Sequence, residues 1–262
     1  MKNIMKSIWY EILRSKLMIR IYIIFILFIV LTTVLNVGDS VQEGHTSGML
    51  AGNPNITYEI QLFVLGFVVA LICGEDYKDK VANYEVMSGH SRISIFFARS
   101  LMGIIAGTIM AEILSFVPII TGILIDGWGS ELVLSDILIR HLLFIFPYLR
   151  LAAFFALLTY LVKNPYVIMA AAFLIATLSV LIIGMVEHSK SFFVSLFNFV
   201  LLTNYDGWSI YNLDPEKGIV KYFSYNSSVS SEMIIGTIVV SLIMTGIYLF
   251  MGYALFRRDE LN

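Results

Sequence analysis

The chain has 262 residues, 58% of them hydrophobic and only 14% charged, with a formal net charge of −2. A mean hydropathy of +0.85 places it among integral membrane proteins and gives no basis for a nucleic-acid partner. Its single cysteine, Cys73, excludes a disulfide framework and a cysteine-rich metal site.

Residues 1–20 carry Lys2, Lys6, Arg14, Lys16 and Arg20 against one acid, Glu11. Met1, Ile4, Met5, Ile8 and Ile12 recur at three- and four-residue spacing, which makes one apolar helical face. Trp9 and Tyr10 suit the headgroup level. A basic amphipathic helix of this kind lies in the membrane interface. No cleavable signal is expected, because the first apolar run lacks a small-residue cleavage site at its end.

Six apolar runs follow, at 19–37, 60–74, 100–125, 137–162, 165–186 and 233–256. A bilayer core needs about 20 residues; the second run is short and reaches only with its polar flanks. The expectation is an all-α integral membrane protein of six spans, with residues 1–262 forming a single transmembrane domain.

Between the second and third runs lies the charged segment 74–99, with Glu75, Asp76, Asp79 and Glu85 against Lys78, Lys80, Arg92 and Arg99. The connections 38–59 and 126–136 hold acids but no Lys or Arg. With the N-terminus inside, five bases on 1–20, four on 75–99, Lys163, Arg257 and Arg258 fall on the cytoplasmic side, and Lys190, Lys217 and Lys221 outside. The positive-inside rule then puts both termini in the cytoplasm of a plasma-membrane protein. In the long connection 187–232, Phe192–Leu202 is apolar but too short to span, so it reads as a re-entrant or interfacial helix on the outer face. Turn signals at Asp206-Gly207 and Asp214-Pro215 follow it.

No nucleotide-cradling G-x-x-x-x-G-K-[ST] loop occurs, the four histidines have no ligand-like spacing, and no nucleophile–base–acid arrangement stands out. Intrinsic enzyme activity is not expected, nor a metal or other cofactor bound by this chain. Glu112 and Arg150, by contrast, sit mid-span. A charge at that depth costs at least ~2.5–3.5 kcal/mol on insertion scales and normally has a partner. Each lies thirteen residues from the outer end of its run, Ile125 and Ile137 respectively, so a Glu112–Arg150 ion pair is expected. Pro118 and Pro147 lie close by, and each opens the backbone ladder locally. Arg140 and His141 read as interfacial. Gly103, Gly107 and Ala111 form a small-residue stripe on the third run, matched by Ala152, Ala153 and Ala156 on the fourth. Such stripes let backbones approach, within a bundle or across a dimer.

Residues 74–99, GEDYKDKVANYEVMSGHSRISIFFAR, resemble the first cytoplasmic loop of the type-2 ABC exporter permeases, with Glu75, Ser88, Gly89, Ser91, Arg92 and Arg99 in matching positions. The ending ALFRRDEL resembles that family's usual finish, and the interface helix, six spans and re-entrant segment match across the whole chain. Val81-Ala82 stands where many members have Gly-Thr, and Arg99 where Lys is more frequent. The resemblance implies a permease subunit of a bacterial peptide- or antibiotic-type exporter, paired with a second permease protomer and two cytoplasmic P-loop ATPases that hold ATP and Mg. The ATPase-coupling residues would be Glu75, Tyr77, Lys78, Asp79, Lys80, Asn83, Glu85, Ser88 and Arg92. The outer aromatics Phe192, Phe193, Phe197, Phe199 and Trp208 would line an exit, or simply anchor at the interface. The alternative is a non-transporting membrane receptor, sensor or immunity protein.

Overall fold

The structure is a computed structural model, and it describes residues 1–42, 55–79, 81–127, 134–186, 211–213, 220–222 and 231–258. In chain order the elements are α1 (Lys2–Arg14), α2 (Lys16–Gln42), α3 (Asn55–Asp79), α4 (Val81–Met87), α5 (Arg92–Asp126), α6 (Leu134–Val162), α7 (Pro165–Val186), β1 (Tyr211–Leu213), β2 (Val220–Tyr222) and α8 (Ser231–Arg258). All but β1 and β2 are helical; these two three-residue strands pair antiparallel, Tyr211 against Tyr222. They fall inside the connection expected to be re-entrant. Its apolar stretch 192–202, with Phe192, Phe193, Phe197 and Phe199, and Trp208 beyond it, lies outside the described residues.

Among the described residues, four helices are long and apolar enough to cross a membrane: Lys16–Leu35, Arg92–Ile125, His141–Val162 and Ile234–Arg258. They mark a membrane protein. Over the residues whose side chains are described, the second and fifth of the expected spans show apolar helix at Ile60–Gly74 and Pro165–Ile175.

The helices differ in what surrounds them. Leu65, Val68, Val69, Ala70 and Cys73 of α3 are completely enclosed, because α3 packs on α5, α6 and α7 at once and touches α2. It is the axis of the bundle. Its neighbours are protein, so Gln61 finds partners there instead of hydrocarbon. In contrast, α2 and α8 are peripheral and turn wide apolar faces outward, including Ile24, Leu27 and Leu35 on α2 and Ile235, Ile243 and Phe250 on α8.

Glycine sets the closest approach. A Cβ on Gly66 of α3 would stand 2.5 Å from Ala172 Cβ of α7 and 3.1 Å from the Phe155 ring of α6. Gly103 and Gly107 meet Cys73 Sγ and Val69 Cγ2 of α3 at 3.1 and 3.2 Å in the same sense. The small-residue stripe of α5 is therefore spent inside the bundle, against α3, where the sequence left bundle and dimer open.

At one end of the bundle, Phe96 of α5 sits amid Tyr160 of α6 and Tyr253 and Phe256 of α8, with ring centroids 5.0–5.6 Å away. Ser100 and Tyr160 share a hydrogen bond of 2.8 Å just behind it. Helix α1 packs on α5 at this end, burying Ile4 and Ile8 and leaving Lys2, Lys6 and Arg14 exposed. The chain breaks at Ser15, whose ψ of 102° is extended, and the Ser15 hydroxyl then accepts from Met18 N–H at 3.3 Å to start α2.

Candidate functional site

Two places carry chemistry: the turn between α4 and α5, and a polar layer within the bundle.

In the turn, the residues that carried the family resemblance have a local structural reason. Gly89 has φ +90°, its N–H bonds Val86 O at 3.0 Å, and His90 N–H bonds Glu85 O at 3.1 Å. This is a Schellman ending, which needs a residue in the left-handed region and so favours Gly. The Ser88 hydroxyl donates to Glu85 O at 2.8 Å, and Ser91 caps α5 by accepting from Ser94 N–H at 3.3 Å. Ser88, Gly89 and Ser91 thus stop one helix and start the next. Glu85, expected to face a partner, is instead tied inward: its Oε1 accepts from Arg99 Nη2 at 3.1 Å, the two side chains being 19% and 5% exposed. The pair staples α4 onto α5. Among the described side chains of α4, Tyr84 and Met87 face outward, 69% and 82% exposed; charge counting missed both because neither carries charge. Arg92 is exposed in the first turn of α5. The backbone of Glu75, Tyr77, Lys78 and Asp79 continues α3 as helix, and Asn83 lies in α4. The side chains of these five, and Lys80 altogether, lie outside the described residues.

No family model matches the chain, and no curated protein matches it either.

Within the bundle, the expected Glu112–Arg150 pair is not made. Glu112 Oε1 lies 3.1 Å from His141 Nδ1, with the His141 ring stacked on Phe116 at 4.6 Å. The other carboxylate oxygen, Oε2, is buried without a hydrogen-bond partner. The reason is rotation about the helix. His141 and Tyr148 are seven residues apart, two turns, and both face α5: Tyr148 shares a 3.2 Å hydrogen bond with Ser115. Arg150 is two residues past Tyr148, about 200° further round. Counting residues from the helix ends gives depth but not azimuth. Arg150 is wholly enclosed on the side where α6 meets α8. There Phe154, one turn on, packs against Tyr248 at 5.6 Å. His141, which reads from sequence as interfacial, is the acid's partner.

A second cluster joins three helices. Gln61 of α3 donates from Nε2 to Ser115 Oγ at 3.0 Å and accepts at Oε1 from the Tyr148 hydroxyl at 2.5 Å. All three side chains are buried, in the stretch where Pro118 and Pro147 lie within α5 and α6. Gln61 and Tyr148 carried no motif; only their position in apolar runs marked them. Replacing Tyr148 with Phe removes the bond to the buried Gln61 Oε1. We expect a loss of about 1 kcal/mol, inside the range measured for interhelical hydrogen bonds in membrane proteins, read as an earlier unfolding midpoint in detergent.

Along α8, Thr237, Ser241, Thr245 and Tyr248 recur at four- and three-residue spacing on one face. Thr237, Ser241 and Tyr248 are buried, and the hydroxyls of Ser241, Thr245 and Tyr248 have no hydrogen-bond partner. With Arg150 they make the seam between α6 and α8 a polar contact within the bundle. Hydroxyl residues at helical spacing in an apolar run were the available signal. Among the described residues, no group of three or more His, Cys, Asp or Glu side chains is placed to hold a metal.

Proposed function

We propose that this chain is the six-span permease subunit of an ATP-driven exporter, coupled through α4 to separate cytoplasmic ATPases. In this reading α3 and α7 complete the six spans, both termini are cytoplasmic, and α1 lies in the cytoplasmic membrane interface. The single observation that carries it is the α4 elbow. A short helix, ended by a Schellman turn and fastened to α5 by Glu85–Arg99, presents Tyr84 and Met87 outward. α5 is 35 residues long, roughly 52 Å at 1.5 Å per residue, against a hydrocarbon core of about 30 Å. A push on α4 is therefore delivered along one continuous helix to Glu112 and the polar layer. The chain has no phosphate-binding loop of its own, so the energy comes from a partner. The α6–α8 seam with Arg150 is the polar path this reading assigns to translocation, for a peptide or similar amphipathic cargo.

The test is co-purification in mild detergent followed by an ATPase assay. Wild type is expected to bring down a P-loop ATPase. Tyr84→Glu with Met87→Glu is expected to lose it at least tenfold while keeping the wild-type unfolding midpoint, since both residues are exposed. Glu85→Gln, which weakens the staple, should lower the midpoint instead. A stable wild-type protein that never retains an ATPase ends the exporter reading and leaves a membrane receptor or sensor.

A further inference from the structure

A groove of about 870 Å³ opens between the α1–α2 elbow and the ends of α3, α5 and α7. This is within the size range of small-molecule sites. Its lining mixes charge and hydrocarbon. The elbow supplies Arg14 and Lys16, with Glu11 the one acid it contributes, beside apolar residues such as Ile12 and Leu17; α3 and α7 add Phe67, Leu71 and Met169. Arg99 also borders the groove, but it is already engaged by Glu85.

The groove lies at the boundary of the apolar bundle. Tyr166 and Met169 belong to the first turns of α7, Arg99 lies near the start of α5, and Leu71 and Ile72 are close to the end of the apolar stretch of α3. Tyr10 and Tyr166, both exposed, also line the groove, and amphipathic aromatic rings of this kind suit the lipid headgroup level. Exposed cations and apolar side chains lining one groove at the boundary of the apolar bundle fit one kind of molecule: an anionic headgroup joined to hydrocarbon. Arg14 is held over the Tyr10 ring at 5.3 Å and donates to its hydroxyl, so its cation is positioned in advance.

We propose that this groove binds one phospholipid with an anionic headgroup, the phosphate at Arg14 and Lys16 and an acyl chain against Phe67, Leu71 and Met169. The bound lipid would fill the gap under the α1–α2 elbow and fix α1 against the bundle. The proposal rests on the membrane setting alone and stands whether or not an ATPase binds α4.

The test is native mass spectrometry of the full chain in detergent, with phosphatidylglycerol or phosphatidylcholine of matched acyl chains. Wild type is expected to retain one phosphatidylglycerol at several-fold higher occupancy than phosphatidylcholine. Arg14→Gln with Lys16→Gln, both exposed positions, should bring the two lipids level, and Leu71→Trp should reduce retention of both. Inorganic phosphate and glycerophosphoglycerol at the same concentration should displace neither. Equal retention of the two lipids by wild type, or phosphatidylglycerol retention unchanged in the folded charge variant, overturns the proposal. Displacement by inorganic phosphate also overturns it, by reducing the site to an anion site.

Discussion

Gly66→Ala is expected to destabilise this protein more than any other single-methyl change in the bundle. The added Cβ would meet Ala172 Cβ at 2.5 Å, about 1 Å inside ordinary carbon–carbon contact. Neither atom can turn aside, since each is fixed to its own backbone. The helices α3 and α7 must separate, and the same methyl would also crowd the Phe155 ring of α6 at 3.1 Å. Overpacking of this kind costs on the order of 1–3 kcal/mol, read as a lower unfolding midpoint in detergent. The specific check is rescue: Gly66→Ala with Ala172→Gly moves the methyl from one helix to the other and should recover most of the loss. Gly246→Ala on α8 has nothing within 4 Å and should be neutral or slightly stabilising, as helix propensity favours Ala. If the double variant is no better than Gly66→Ala, the α3–α7 contact is not the cause.

His141→Leu is the second large effect. It leaves Glu112 with neither oxygen hydrogen-bonded, since Oε2 already has no partner and Oε1 bonds only His141 among the described contacts. Hydrogen bonds to charged groups contribute about 1.5–3 kcal/mol, and stranding the buried partner adds its desolvation cost. We expect a loss near the top of that range. Because the penalty comes from the stranded acid, adding Glu112→Leu to His141→Leu should restore stability to near wild type, while Glu112→Leu alone should cost less than His141→Leu. Additive losses in the double variant would show that the two side chains do not depend on each other.

These two predictions separate what could be read along the chain from what could not. The amphipathic face of α1 was legible because Ile4 and Ile8 repeat at helical spacing beside exposed bases, and one helix's periodicity is a local property. The long apolar helices were legible for the same reason: length and hydropathy are sums over neighbours. Gly89 and Ser91 were singled out by resemblance, and the structure gives them a local cause, a helix stop and a helix start.

Pairing was not legible. The expected Glu112–Arg150 bond failed because facing depends on how two helices are rotated, and a one-dimensional count carries no rotation. Gln61, Ser115 and Tyr148 belong to no sequence motif, and only the packing of three helices brings them together. Glu85 read as one acid among several in a charged segment; only the fold of α4 back onto α5 showed it bound to Arg99. Gly66 had no partner in any nearby motif, because the atom that makes it necessary, Ala172 Cβ, is more than a hundred residues away.

The sequence by itself determined that this is a helical membrane protein and where its longest apolar helices run, since both follow from local composition and period. The tertiary structure alone decided which helix is the axis, which glycines admit close contact, and which partner each buried polar group takes. Those depend on the heights and rotations of helices distant in sequence, which packing sets collectively.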